Sequence, residues 1–338
     1  MAGDLDFYFY VMRAYGYPAH SRIHWSHNHA EVWTRRLPLR SRALCTGTFD
    51  CLPVELMHEI LSCFDFRTLG KLRLVNYGFK HFVDSLVPYK YTLEHAQPSL
   101  RALVKSGSIS SFNVTELYAI LTSDSCALCG GFGPFFSPLT RERCCLSCAV
   151  VGHHHSPPDR LRVFDLDEAK RHLGLTDKDL KGIPTMLSAP RPLNHSLPIP
   201  GSLRRVVTAS KVWEIALAKH GSDNGHFGPF ASNLLADKSI MPSPDLLQAY
   251  DSLLWNDDKY DRVHVTIGFP TMNWEEGAAG LGEWCLSCLY AHLLRCLKDS
   301  PVSQFTIQAH KAYRPEAEIL QHLDECSEKR PWNRPWKE

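Results

Sequence analysis

Paired cysteines are the residues of this chain whose type and spacing are most specific for chemistry. In three pairs, two residues separate one cysteine from the next: Cys126/Cys129, Cys145/Cys148 and Cys285/Cys288. A Cys-x2-Cys turn can place two thiolates on one zinc ion. Fifteen residues separate the first pair from the second, a spacing at which the intervening hairpin can bring the chain round to complete a tetrahedron. The sequence therefore predicts a zinc ion bound by Cys126, Cys129, Cys145 and Cys148.

The predicted zinc site has four thiolates and no open position for water, which indicates a structural rather than a catalytic ion. Gly130 and Gly131 follow the first pair directly, where the backbone must turn tightly without a Cβ. Cys144 stands beside Cys145 and is an alternative ligand. Because it would change the second pair to Cys-x3-Cys, Cys145 is favoured.

The third pair, Cys285/Cys288, needs two further ligands to complete a second site. His322 and Cys326 lie four residues apart on a helix predicted over 315–327, so one face of that helix presents both donors. The favoured second site is therefore Cys285, Cys288, His322 and Cys326.

A local alternative for the second site uses Cys288, His292 and Cys296, which recur at a spacing of four residues. Eight residues cover about 12 Å along a helix at about 1.5 Å per residue, a span that one ion cannot easily bridge. Both ligand sets, His322/Cys326 and His292/Cys296, remain open. The sequence predicts one or two structural zinc ions per chain.

Length and composition indicate a soluble globular protein of two or three units. The chain has 338 residues, of which 44% are hydrophobic and 22% charged. Its 37 Lys and Arg residues balance 36 Asp and Glu residues, and the net charge of +1 argues against a nucleic-acid partner. No apolar run reaches the roughly 18 residues of a membrane span. Asp4 and Asp6 stand where a signal peptide carries positive charge. These features predict a protein of the cytoplasm, the nucleus or both, with reduced cysteines.

Helical periodicity marks residues 49–91, where three short helices are predicted. Their apolar residues recur at helical spacing: Val54, Leu56, Ile60, Leu61 and Phe64, then Leu69, Leu72 and Val75, then Phe79, Phe82, Val83 and Leu86. Pro53 suits the start of the first helix, and Pro88 is expected to end the third. Three helices of this size cannot bury a good core alone. Part of their apolar surface must therefore face a partner chain or the rest of the protein.

After this helical unit, the sequence patterns that predict helices and strands lie farther apart. Asn113 and Glu116 form a predicted capping box that opens a helix. A strand is expected over 204–208 and a helix over 209–220. Alternation of polar and apolar residues predicts a half-buried strand over 263–269.

The predicted organisation of the chain has three parts. Residues 1–47, with six Arg and no Lys, are expected to form a poorly ordered tail, and 48–92 form the helical unit. Residues 93–338 are expected to form an irregular, zinc-stapled, helix-rich domain with a few short strands. Five prolines mark a loop over 184–205. The predicted fold class is therefore α+β and mainly helical.

Residues 49–91 resemble an F-box, the short helical motif that docks a substrate receptor onto the adaptor of a cullin–RING ubiquitin ligase. The resemblance lies in Leu52-Pro53-Val54-Glu55-Leu56, Ile60-Leu61, Phe64, Leu69, Leu72-Arg73-Leu74-Val75 and Phe79. It implies a three-helix unit that binds a Skp-type adaptor and, through it, a cullin scaffold. The residues expected to contact the adaptor are Leu52, Pro53, Ile60, Leu61, Leu69 and Leu72. Helical spacing alone does not separate adaptor contacts from residues of the chain's own core.

The rest of the chain resembles a family of fungal F-box proteins with a Cys-rich region after the F-box. The matching stretches are Leu121-Thr122-Ser123 before Cys126, Arg143-Cys144-Cys145, Ile183-Pro184-Thr185-Met186 and Trp284-Cys285. This resemblance implies a non-enzymatic receptor subunit whose C-terminal region recognises an unknown protein target. A zinc-scaffolded protein that binds protein or nucleic acid outside a ligase is the alternative. A zinc enzyme is not expected, because it would need a three-ligand site beside a general base.

Overall fold

The structure, a computed structural model, describes residues 46–145, 148–149, 161–188, 204–220, 265–285, 312–313 and 316–326. Apart from Thr46 and Gly47, the predicted tail over 1–47 lies outside these residues. Most of the predicted proline-rich loop over 184–205 lies outside them as well.

The described residues belong to two compact units. The first unit contains 46–124 and Ile267–Leu281, and the second contains the described parts of Ser125–Thr266 and Gly282–Glu338. Helices and a few short antiparallel strands build both units, as the mainly helical α+β prediction requires. Within the described ranges, no helix is long and apolar enough to cross a membrane.

Short α-helices build most of the first unit. They are α1 (Val54–Ser62), α2 (Phe66–Leu72), α3 (Tyr77–Ser85), α4 (Val87–His95), α5 (Gln97–Lys105) and α6 (Val114–Thr122). The three helices predicted between residues 49 and 91 are confirmed as α1, α2 and α3. Pro88 plays a different part from the one predicted, because it lies in the first turn of a further helix, α4. A proline is tolerated there since its missing N–H has no partner inside the helix anyway.

Side-chain caps fix where these helices begin. At the start of α2, the Asp65 carboxylate accepts hydrogen bonds from the backbone N–H groups of Arg67 (2.9 Å) and Thr68 (3.0 Å). At the start of α6, the Asn113 side chain accepts the Glu116 N–H at 2.8 Å, and the Glu116 carboxylate accepts the Asn113 N–H at 2.9 Å. The predicted capping box is therefore confirmed.

The core of the first unit joins α1–α3 to the helices that follow them. Phe66 of α2 stacks on Tyr89 of α4, with ring centroids 4.5 Å apart. Burial raises the pKa of Tyr89 above its ordinary value. Further fully buried side chains come from both groups of helices: Met57, Leu61, Leu69, Val83, Leu100, Leu103, Leu117 and Leu121. The three predicted helices thus share a core with α4–α6 and do not close on their own.

A hairpin and a small sheet begin the second unit. Strands β1 (Phe135–Ser137) and β2 (Glu142–Cys144) pair antiparallel to form the hairpin. Strands β3 (Val163–Asp165), β4 (Met186–Leu187) and β5 (Arg205–Thr208) form an antiparallel sheet in the order β3-β5-β4. The strand predicted over 204–208 is confirmed as β5.

Two helices pack with this sheet. Helix α7 (Leu166–Leu173) begins at the Asp165 cap and ends at Gly174, whose positive φ of 59° suits a glycine. Helix α8 (Ala209–His220) follows β5 directly, as predicted. The side chain of Trp213 is fully buried among apolar residues of both helices, which form the core of this part of the second unit.

Three strands close to Trp274 in the sequence complete the first unit. They are β6 (Ile267–Gly268), β7 (Thr271–Asn273) and β8 (Ala278–Gly280), of which β7 and β8 form a hairpin. The Ser99 hydroxyl of α5 donates to the Gly268 carbonyl at 2.7 Å, which fixes the segment to the helices. β6 is shorter than the strand predicted in this region.

The last described elements belong to the second unit. Strands β9 (Glu283–Trp284) and β10 (Ala312–Tyr313) pair antiparallel. Helix α9 (Glu316–Glu325) lies within the helix predicted over 315–327, and Ile319 is its buried apolar residue. His322 lies in α9, while Cys285 directly follows β9 and Cys326 directly follows α9.

The buried position of Leu69 leads to a stability prediction. Leu69→Ala should lower the free energy of unfolding of the first unit by about 2–5 kcal/mol, because it leaves a cavity in a packed core. Val75→Ala is the matched control, since Val75 is exposed in the same unit and should change the free energy of unfolding by less than about 0.5 kcal/mol. Urea denaturation followed by circular dichroism measures both. Equal effects in the two variants would contradict the packing described.

Candidate functional site

Four cysteine thiols of the second unit converge on one point. The Sγ atoms of Cys126, Cys129, Cys145 and Cys148 all lie within 4.8 Å of one another, so this four-cysteine cluster is placed for metal binding. The Sγ atoms of Cys129 and Cys145 are 3.7 Å apart. A tetrahedral zinc ion with Zn–S distances of about 2.3 Å holds its sulfurs about 3.8 Å apart, whereas a disulfide joins them at about 2.05 Å. The donor set therefore fits zinc, and it includes Cys145 and not Cys144, as predicted.

The backbone positions these thiols through a tight turn and a hairpin. The Cys126 N–H donates to the Gly131 carbonyl at 2.6 Å, which closes the turn around the first pair. The Ala127 N–H donates to the Arg143 carbonyl at 2.9 Å, which ties that turn to β2. β2 ends one residue before Cys145, so the hairpin delivers the second pair beside the first.

Two glycines make this close packing possible. Gly130 has a positive φ of 72°, as expected for the glycine that turns the chain after the first pair. At Gly133 the constraint is space, since a Cβ there would lie 3.0 Å from the Cys126 nitrogen and 3.3 Å from the Cys144 carbonyl carbon. Both contacts are with backbone, which cannot move aside easily. The cysteine spacing does not reveal Gly133, because its constraint arises from the hairpin's approach to the turn.

Hydrogen bonds within the cluster determine which thiols ionise first. The hydrogen bond with the Cys145 thiol lowers the pKa of Cys129 to about 6, and a similar interaction lowers the pKa of Cys126 well below its ordinary range. The same hydrogen bonds raise the pKa of Cys145. Zinc binds thiolates, so the ion must displace the protons that the cluster shares.

A buried arginine accompanies the cluster. Arg143 is only 4% exposed, and its guanidinium donates to the Gly133 carbonyl at 2.7 Å. Gly133 in turn lies against the Cys126 backbone, so this hydrogen bond ties β2 to the turn that carries the first cysteine pair. Arg143 also favours ionisation of the adjacent Cys144, although burial dominates and raises the pKa of that thiol. The one sequence signal for Arg143 is its position directly before the Cys144-Cys145 pair.

A second donor cluster lies at the end of α9. One ligand atom each of Cys285, His322 and Cys326 lies within 4.8 Å of the other two. The Sγ atoms of Cys285 and Cys326 are 3.8 Å apart, again the separation of sulfurs on a shared metal ion rather than in a disulfide. The structure thus brings together three of the four residues of the favoured second site.

The remaining residues proposed for the second site cannot be compared with this cluster. Cys288, the fourth predicted ligand, lies outside the described residues, as do His292 and Cys296 of the alternative set. The three clustered donors fit a metal site with one further ligand.

The six residues predicted to contact an adaptor divide into two groups. Leu61 and Leu69 are 1% and 0% exposed, so they pack in the core of the first unit and present no surface to a partner. Pro53 and Ile60 are exposed, while Leu52 and Leu72 are half-buried. For the residues in α1 and α2, the difference follows from the side of the helix on which each side chain lies. Periodicity alone does not show which side faces the solvent.

An apolar stripe runs along the exposed side of α1. Leu56 and Ile60 are 45% and 42% exposed, and their spacing of four residues places them on one side of the helix. Phe64, two residues beyond the end of α1, is 38% exposed. Met57 and Leu61 point into the core from the neighbouring side of the same helix. We call Leu56, Ile60 and Phe64 the α1 stripe. Such a contiguous apolar surface is typical of a protein-binding site.

Comparison with protein families identifies the helical unit. Residues 49–91 match the F-box domain family, the region in which the sequence resembles an F-box. F-box domains generally bind Skp-type adaptors in cullin–RING ligases, and proteins that carry them generally serve as non-catalytic substrate receptors. No curated protein and no solved structure matches the chain.

Adjacent cysteines offer a matched test of the four-cysteine cluster. Cys145→Ser should remove about one zinc ion per chain, because it leaves a tetrahedral site with three thiolates. Cys144→Ser should keep that ion, since Cys144 lies in β2 outside the cluster. Metal content of the purified full chain by mass spectrometry measures both. Loss of zinc in the Cys144 variant alone would show that Cys144, and not Cys145, is the ligand.

A pair of histidines tests the second cluster. His322→Ala should lower the zinc content by about one ion per chain, because His322 lies within ligand distance of Cys285 and Cys326. His292→Ala should leave the content unchanged. The reverse result would move the second site to the alternative ligands, and full zinc content in both variants would remove the second site.

Proposed function

We propose that this chain is the substrate-receptor subunit of a cullin–RING ubiquitin ligase. Its F-box docks on a Skp-type adaptor, which connects it to the cullin scaffold, and the rest of the chain recognises a target protein. The observation that carries the proposal is the α1 stripe, an exposed apolar surface inside the residues that match the F-box family.

The α1 stripe has the chemistry of a helix that docks in an apolar groove. Fully burying a Leu, Ile or Phe side chain contributes about 1.5–3 kcal/mol relative to leaving it in water. The stripe's three side chains have between a third and a half of their surface still available. Anchors at a spacing of four residues are the pattern by which one helix binds a hydrophobic groove. Exposed Pro53, at the start of α1, extends the same contact region.

The four-cysteine cluster supports a role as a rigid recognition subunit. The residues that would hold zinc are Cys126, Cys129, Cys145 and Cys148. A zinc ion bound by four thiolates supplies folding stability and has no open position for a substrate. The second unit would then contribute a fixed surface for target binding, and ubiquitin transfer would be left to the other ligase subunits.

The cysteines also favour a reducing compartment. All nine described cysteines are free thiols, including three buried members of the four-cysteine cluster. Disulfides form readily in secreted proteins, whereas the cytosol and nucleus keep thiols reduced and available for zinc. The proposed receptor therefore acts in the cytoplasm, the nucleus or both.

Paired leucine and isoleucine substitutions test adaptor docking. Leu56→Ala/Ile60→Ala should weaken capture of a purified Skp-type adaptor by at least about tenfold, because it removes two anchors of the α1 stripe. Leu320→Ala/Leu323→Ala is the matched control, since it removes two exposed leucines from α9 of the other unit, and its adaptor affinity should equal that of the unaltered chain. Surface plasmon resonance with immobilised adaptor gives both affinities.

Three outcomes contradict the docking proposal. The unaltered chain could fail to bind the adaptor, the two double variants could bind it equally well, or the control could lose binding while the α1 variant retains it. Circular dichroism of each variant verifies that lost binding does not reflect unfolding. Since Leu56 and Ile60 are exposed, both substitutions should leave the fold intact.

A further inference from the structure

Three aromatic side chains form a cluster on the first unit, and two of them lie outside the residues that match the F-box family. Tyr91 of α4, Tyr118 of α6 and Trp274 after β7 meet with ring centroids 5.5–6.5 Å apart. Trp274 is 53% exposed, although it is the largest of the three. We call these residues the aromatic triad. A half-exposed indole that packs against two tyrosines is typical of the exposed aromatic surfaces found at binding sites.

The triad is held in a defined geometry. The Trp274 ring meets Tyr91 at 61° and Tyr118 at 69°, both edge-to-face contacts. The Thr271 hydroxyl donates to the Ser123 carbonyl at 3.3 Å, which ties the hairpin that carries Trp274 to the end of α6. The aromatic surface is therefore preorganised, so that a ligand does not have to order it on binding.

Carboxylates lie close to the triad in the sequence. Glu275 and Glu276 follow Trp274 directly in the hairpin turn, and Glu94 lies three residues after Tyr91 on α4. All three are exposed, and among the described residues none of them forms an ion pair. Lys90 is the one lysine of α4, and His95 stacks on Tyr91 with ring centroids 5.9 Å apart, so three carboxylates stand against one lysine and one histidine. Aromatic faces and free carboxylates both attract a cation.

We propose that the aromatic triad and its flanking glutamates bind an arginine side chain in a basic segment of a partner protein. A guanidinium is planar, so it can stack on the exposed Trp274 ring while its N–H groups pair with a carboxylate. A trimethyllysine would need an open cage between the rings. Trp274 instead meets both tyrosines edge to face, and the two tyrosine rings lie 6.3 Å apart at 55°, so the rings contact one another and do not surround an open cage.

The proposed surface would serve the receptor function as a place where a target protein binds. That the partner is a ligase target rests on the proposed function, but arginine binding by the triad does not. The triad includes only one residue, Tyr91, from the matched 49–91 stretch, and this residue lies at its end. Adaptor binding and arginine binding can therefore be measured separately on the same full chain.

Labelled peptides of about ten residues test the proposal by fluorescence anisotropy at about 0.15 M salt. The unaltered full chain should bind an alternating Arg-Ser peptide more tightly than Lys-Ser or trimethyllysine-Ser peptides and should not bind Glu-Ser. Trp274→Ala should weaken Arg-Ser binding by at least about fivefold and abolish the preference for arginine over lysine. Glu275→Gln/Glu276→Gln should weaken both basic peptides and reduce the salt dependence of binding.

Val75→Ala is the matched control, because it shortens another exposed apolar residue of the same unit and should leave peptide affinity unchanged. The proposal is overturned if Trp274→Ala binds Arg-Ser as tightly as the unaltered chain, or if the unaltered chain does not bind that peptide. Equal affinity for Arg-Ser and Lys-Ser, or tighter binding of trimethyllysine, overturns the choice of arginine. Adaptor affinity measured in parallel should be the same for Trp274→Ala and the unaltered chain. If the unaltered chain binds the peptide but does not bind the adaptor, only the ligase function is contradicted.

Discussion

The repulsion that closely spaced sulfurs experience once they ionise is the constraint on the four-cysteine cluster of the second unit. Four thiols within 4.8 Å cannot all ionise without a cation between them. A structural zinc ion bound there would supply that charge and about 10–16 kcal/mol of apparent folding free energy, comparable with the net stability of about 5–15 kcal/mol of a typical domain. The hairpin has strands of only three residues. We infer that the ion, more than the strand pairing, holds this region in one conformation.

In the first unit the corresponding constraint is that one short helix must face two environments. Helix α1 buries Met57 and Leu61 on one side and leaves Leu56 and Ile60 in solvent on the next. The buried side is fixed by a core that α1–α3 share with α4–α6. The exposed side is therefore carried on a rigid support, and an adaptor would meet a stripe that is already formed. Such preorganisation reduces the entropy cost of docking.

Much of both sites was accessible to sequence reasoning because it depended on local spacing. Cysteine spacing predicted the four ligands, and the Asn113–Glu116 pattern predicted the start of α6. Periodicity could not separate Leu61 from Ile60, since it shows which residues share a helix face but not what covers that face. Gly133 and Trp274 were missed because their roles arise from contacts between segments that the sequence does not place together.

The two surfaces of the first unit differ in chemistry, and this difference has a functional consequence. The α1 stripe is aliphatic and suits an apolar groove, whereas the aromatic triad is flanked by carboxylates and suits a cation. A partner selected by one surface gains little from the other, so two proteins could bind without competing for the same contacts. A receptor subunit needs this independence, because it must stay bound to its adaptor while targets bind and dissociate. Since the triad belongs to the unit that contains the F-box match, target recognition would not be confined to the unit that contains the four-cysteine cluster.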